Sequence, residues 1–171
     1  MPPLHLQADL VLCSHEHHDH NARGSVALSG KSPSFTVERL DTFHDPEGGT
    51  LRGPNTFHII SADGLRVAHM GDLGCALTPE QLEKLQGLDA VLLPVGGYYT
   101  IDAVQADETA RQLQARVVVP MHYRGAGFGY DVIAPLENFL ALREDVIHYP
   151  GPSLTLEPDM PVQTAVLDRF D

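Results

Sequence analysis

The sequence predicts a layered α/β domain with α+β character, in which helices pack on a β-sheet. Three observations predict it. Candidate strands come first along the chain and strand and helix then alternate, the element order of a sheet covered by helices. Two continuous apolar runs, Asp89 to Val95 (DAVLLPV) and Arg116 to Met121 (RVVVPM), read as strands buried on both faces. The chain of 171 residues, 43% apolar, is long enough for one domain whose core needs no disulfides. Residues 1–171 are accordingly read as a single domain.

The elements follow in order. Ala8 to Cys13 (ADLVLC) is expected as a short buried strand running into a histidine cluster. Ser34 to Leu40 alternates enough to be a strand. Asp45 to Asn55 (DPEGGTLRGPN) is a turn-rich loop. Asn55 to Ala62 and Leu65 to Met70 flank Asp63-Gly64, a type I′ hairpin signal. Thr78-Pro79-Glu80-Gln81 opens a helix, with Thr as cap, Pro at the first helical position and Gln completing a capping box; it runs to Gln86, and Gly87 stops it. Asp102 to Gln114 is an amphipathic helix and Val132 to Leu142 a third. Val146 to Tyr149 and Ser153 to Glu157 are short strands around Pro150-Gly151.

Composition narrows the function. The net charge of −12 repels phosphate backbones, so no nucleic-acid partner is expected. No apolar stretch approaches the length of a membrane span. Two cysteines, Cys13 and Cys75, make no disulfide framework, and with no export signal in view a reducing cytoplasm is the expected setting. Histidine is the outlier: five of the ten fall in the first twenty positions.

Residues 14 to 20 read Ser-His-Glu-His-His-Asp-His. On an extended segment His15 and His17 point the same way and can grip one metal; after a turn, Asp19 and His20 can face a second. Imidazole and carboxylate suit Zn, Mn or Fe. Downstream, Phe43-His44-Asp45, Ala68-His69-Met70-Gly71-Asp72, Leu93-Pro94-Val95-Gly96-Gly97 with Thr100, and Pro120-Met121-His122-Tyr123 each sit at the end of an expected strand or in the turn after it. Taken one by one, His44 also reads as a loop histidine, Asp72 as a turn aspartate ahead of Gly74 and His122 as a capping histidine. His58, His69, His5 and His148 read as structural, and His18 as the variable position of the motif, facing pocket or solvent.

With these motifs the chain resembles the metallo-β-lactamase-fold hydrolases, and within them the branch that includes ascorbate-6-phosphate lactonase-like proteins. The resemblance implies an αββα sandwich with two divalent metal ions, zinc first and manganese or iron as alternatives. It implies His15, His17 and His44 on the first ion, Asp19, His20 and His122 on the second, and Asp72 bridging both. A hydroxide between the ions would attack a lactone, ester or phosphoester of a small anionic substrate, with Asp72 holding the ions and Asp19 shuttling the proton. Two ions, two carboxylates and one hydroxide leave the site at about +1, attractive to an anion although the surface is not. Arg52 and Arg124 are candidate anchors for that anion. Tyr98 and Tyr99, after the Gly96-Gly97 turn, are candidate pocket walls. The alternatives are a phosphodiesterase or nuclease of the same fold and a non-enzymatic metal-binding protein.

The family's opening strands precede its histidine motif, and here Met1-Pro2-Pro3 reads as the middle of a loop. The expectation is therefore a sandwich lacking its opening strands with every ligand retained, its edge completed by a longer gene product or by another chain, a homo-oligomer included.

Overall fold

The computed structural model describes residues 6–168, so the expectation for Met1-Pro2-Pro3 and the reading of His5 lie outside the described residues. Strands β1 (Leu6–Ala8) and β2 (Val26–Leu28) form a small parallel pair, with a 3-10 turn at Arg23–Ser25 leading into β2. The main sheet holds β3 (Thr36–Phe43), β4 (Pro54–Ala62), β5 (Leu65–His69), β6 (Ala90–Pro94), β7 (Val117–Met121), β8 (Val146–Tyr149) and β9 (Gln163–Leu167), in the order β3-β4-β5-β6-β7-β9-β8. β3, β4 and β5 pair antiparallel, and the other pairs are parallel.

Local chemistry fixes several elements as expected. Asp63 and Gly64 take φ of 51° and 79°, the left-handed pair that a type I′ turn requires between β4 and β5. Helix α1 (Pro79–Lys84) starts on the capping box of Thr78 and Gln81, and α2 (Ala103–Leu113) on an equivalent box of Asp102 and Gln105. These helices and the short α3 (Glu137–Leu140) cover one face of the sheet. There Leu85, Ala106, Ala110, Leu113 and Phe139 bury against Phe57, Ile59, Ala68, Val91, Leu93 and Val118. On the opposite face Ala90, Val117 and Ala165 meet Leu154, Leu156 and Met160. No helix among the described residues is long and apolar enough to cross a membrane.

Three expectations are corrected. Ala8 to Cys13 is not a strand: pairing stops at Ala8, and residues 9–13 run without a ladder partner until the carbonyl of Ser14 accepts the Thr56 N–H at 2.8 Å. The helix expected from Val132 shrinks to Glu137–Leu140, because Pro135 biases the residue before it toward extended backbone. There the Ala134 N–H bonds the Gly96 carbonyl at 2.7 Å and its carbonyl accepts from Arg124 N–H at 3.1 Å. Ser153 to Glu157 is irregular chain, and the strand that joins the sheet is β9.

The register places the site. β5, β6 and β7 run parallel with His69 opposite Leu92 and Pro94 opposite Met121, so the segments after all three leave the same edge. β3 ends at that edge too, since Phe43 pairs with Pro54 at the start of β4. The carboxyl ends of parallel strands are where open α/β sheets place ligands.

Candidate metal centre

His44 directly follows β3, Asp72 follows β5 by three residues and His122 directly follows β7. The histidine motif reaches the same edge through the Ser14–Thr56 hydrogen bond, which ties residue 14 to β4. Each ligand segment is held by a specific contact. Asn55, fully buried, donates from Nδ2 to the Met70 carbonyl at 2.9 Å and accepts the Asp72 N–H on Oδ1 at 3.1 Å, fixing the turn that carries Asp72. Asp45, also fully buried, accepts the N–H groups of Glu47, Gly49, Leu51 and Arg52 at 2.7–3.1 Å, which closes the loop after His44. Burial works against its charge, but those four donors hold its carboxyl below the usual range. His122 sits at φ 56°, a left-handed conformation rare for a residue with a side chain; such strain persists at sites where the surroundings dictate it.

Asp72 Oδ2 is the hub. The Nε2 atoms of His44, His122, His20 and His15 lie 3.3, 3.4, 3.6 and 3.9 Å from it. Ions bound at 2.0–2.1 Å in tetrahedral geometry hold neighbouring donors roughly 3.3 Å apart, so the shorter of these spacings would suit ligands of a common ion. Two sets of donor atoms lie mutually within 4.8 Å: His15, His17 and His44, and His15, His20 and Asp72. The tautomers are prepared as well. His44 Nδ1 donates to the Tyr99 carbonyl at 3.1 Å with its Nε2 turned to Asp72, and His15 Nδ1 bonds Ser14 Oγ at 2.9 Å, which orients both rings. His15 Nε2 and His122 Nδ1 are buried with no hydrogen-bond partner. A buried lone pair left without a donor, at the centre of an imidazole–carboxylate set, is satisfied by a cation.

Electrostatics point the same way. Burial pushes His15 down to about 4, against the pull of Asp72 and with the neighbouring histidines His20, His44 and His17 adding to the fall. Burial works against the charge of Asp72, yet hydrogen bonds from His122 and His44 hold its carboxyl well below the usual carboxylate range. Neutral imidazole and ionised carboxylate are the forms that bind metal. His122 is raised: burial alone would lower it, and its hydrogen bond to and attraction by Asp72 prevail.

The residues match the description "Beta-lactamase superfamily domain" over positions 1–122, well over half the chain. A solved structure from Thermotoga maritima, described as a Zn-dependent hydrolase of the metallo-β-lactamase superfamily, superposes with a TM-score of 0.78 at 30% identity, covering 95% of this chain and 82% of that one. This chain belongs to the metallo-β-lactamase superfamily. Its curated relatives include UPF0173 metal-dependent hydrolases from Pelotomaculum thermopropionicum, 28% identical over 69% of this chain and 68% of theirs, and from Nitratidesulfovibrio vulgaris Hildenborough, 30% identical over 80% of this chain and 56% of theirs. The chain thus spans between about half and two thirds of the length of these relatives. Their names carry metal dependence and hydrolysis; the narrower lactonase branch does not appear among them.

Within this superfamily site the expected ligands gather as follows. His15, His17 and His44 come together as one set; His15 also joins His20 and Asp72, so it stands between the two groups rather than in the first alone. His122 reaches Asp72 from β7. Asp19, 40% exposed at the side chain, lies 3.8 Å from His20 Nε2 and lines the cavity outside both sets. The cavity, about 290 Å³, is walled by the histidines His17, His18, His20, His44 and His122, by Asp19 and Asp72, and by Leu51, Arg52, Tyr99 and Tyr130. Arg52 and Tyr99 line the cavity. Arg124 and Tyr98 do not: Arg124 Nε is spent on the Ile133 carbonyl at 2.8 Å, and Tyr98, at φ 61°, turns its ring outward with 61% exposed. Asn55, Asp45, Leu51 and Tyr130 were not singled out from sequence. Asp45 carried a readable signal, an Asp heading a Gly-rich turn right after a ligand; Tyr130 carried none.

Proposed function

We propose that this chain is a binuclear metal-dependent hydrolase acting on a small anionic ester, lactone or phosphoester. The observation that carries the reading is the group of four imidazole Nε2 atoms within 3.9 Å of one carboxylate oxygen, Asp72 Oδ2. His15, His17 and His44 would hold one ion, His20, Asp19 and His122 the other, and Asp72 both. When bound, paired divalent ions, zinc foremost, supply Lewis acidity and acidify water at neutral pH. The chain's own residues do the rest. Asp19, at the cavity mouth, takes the proton of the attacking water on its carboxylate and returns it to the leaving oxygen. Arg52 draws in the anionic end of the substrate. His44 and Ser14–His15 keep their rings aimed through the hydrogen bonds at Nδ1.

The test is metal analysis of protein purified without chelator, followed by a hydrolysis panel of a lactone, an aryl ester, a phosphomonoester and bis-p-nitrophenyl phosphate. About two ions per chain, with turnover of one of the first three that is lost in D72A, is the expected result. Turnover of bis-p-nitrophenyl phosphate alone moves the reading to a phosphodiesterase. No metal and no turnover after zinc or manganese reconstitution overturns it.

A further inference from the structure

Beside the histidines, part of the cavity wall is made of a different chemistry: Leu51, Arg52, Tyr99 and Tyr130, brought from two separate loops and the turn after β6. The Tyr99 and Tyr130 rings lie 6.2 Å apart at 68°, an edge-to-face arrangement, and the Arg52 guanidinium sits 5.8 Å over the Tyr99 ring. Arg52 gives one of its five donors to the Tyr98 carbonyl, at 3.0 Å, and is held at its backbone by Asp45. Tyr130 lines the cavity and is 57% exposed, so much of it is open to a ligand entering there.

We propose that this wall is a specificity subsite that selects substrates carrying an aryl or comparable planar apolar group next to the anionic, reacting end. The proposal rests on the hydrolase reading above and names its substrate class. The metal-ligating side of a cavity of about 290 Å³ receives the reacting group, Arg52 pairs with negative charge, and Tyr130, Tyr99 and Leu51 enclose the planar body. A volume near 300 Å³ is the lower end for small-molecule sites, room for one ring and one acid group.

The protein carries its own reporter. It has no tryptophan and five tyrosines; Tyr99 and Tyr130 line the cavity with centroids 6.2 Å apart, and Tyr98 packs on Tyr99 at 4.7 Å from outside it. Tyrosine fluorescence of zinc-reconstituted protein, of measured metal content, is titrated with phenylphosphonate and with methylphosphonate. The phenyl compound is expected to bind about tenfold more tightly. Tyr130→Ala should erase most of that preference, Tyr130→Phe should keep it, and Arg52→Gln should weaken both ligands. Equal binding of the two phosphonates by metal-loaded protein overturns the proposal, as does a phenyl preference that survives Tyr130→Ala. Failure to take up metal instead counts against the hydrolase reading, so the two failures separate. Circular dichroism of the variants confirms that exposed Tyr130 is not needed for folding.

Discussion

Gly74 lies against the backbone of His44, a candidate metal ligand, and Gly74→Ala is the sharpest probe of the centre's rigidity. A Cβ at position 74 would fall inside 3.0 Å of the His44 carbonyl carbon and oxygen and of the Asp45 amide nitrogen, whereas ordinary contact begins at 3.4 Å. The neighbours are backbone and cannot rotate away, so the end of β3 must retreat by more than 0.4 Å. Metal–ligand distances tolerate about 0.2 Å. The retreat also stretches the 3.1 Å bond from His44 Nδ1 to the Tyr99 carbonyl, which sets the ring's orientation. Loss of such an orienting contact lowers metal affinity about 10- to 100-fold. Overpacking costs about 1–3 kcal/mol, or roughly 2–12 °C in Tm for a chain of this size. Zinc affinity is read by competition with a chromogenic chelator, and Tm by circular dichroism. Gly24→Ala is the control, because nothing lies within 4 Å of a Cβ there. Wild-type zinc affinity in Gly74→Ala would refute the reasoning, and so would an equal loss in Gly24→Ala.

In the metal-free protein, His15 binds its proton only near pH 4, whereas the unfolded chain binds it below about 6.5. Its contribution is therefore complete above pH 6.5 and lost as pH falls toward 4, by up to about 3 kcal/mol. Burial lowers His58 and His69 as well, so the His15 share is read as the difference between urea titrations of wild type and His15→Asn; identical slopes contradict it. Asn55→Ala strands the Met70 carbonyl and the Asp72 N–H and should cost about 2–3 kcal/mol, while Thr56→Ala, whose hydroxyl bonds exposed Asp41, should cost under about 1 kcal/mol; equal losses in urea unfolding count against the role given to Asn55. Adding zinc at 100 times its dissociation constant should stabilise the fold by about 2.7 kcal/mol and raise Tm, and chelator should reverse it. Asp72→Asn should abolish the rise, and a rise that persists in that variant argues that the ion sits elsewhere.

What the sequence made legible was chemistry that acts over a few residues. Asp63-Gly64 states its own turn, Thr78 and Gln81 state their own helix start, and the spacing of His15, His17 and His20 marks three residues that fall in the candidate metal-binding groups. What escaped depends on distant partners. The apolar run Ala8 to Cys13 has the composition of a strand, but a strand needs a neighbour to pair with, and residues 9–13 lack one among the described residues. β9 is five residues long and owes its burial to β7 and β8 on either side. Asp45 looks like any turn aspartate until the loop returns four N–H groups to it. Arg124 failed for the same reason: proximity to His122 in sequence does not fix which way a long side chain is drawn, and the Ile133 carbonyl draws it aside.

The sheet order β7-β9-β8 sets a timetable for synthesis. β8 emerges from the ribosome before β9, yet its ladder in the sheet is with β9. Until Gln163–Leu167 is made, β8 lacks its partner strand, and the β7 edge at Val117 and Val118 stays open. A nascent chain stalled between Tyr149 and Gln163 should expose that β7 edge to chaperones or to other chains.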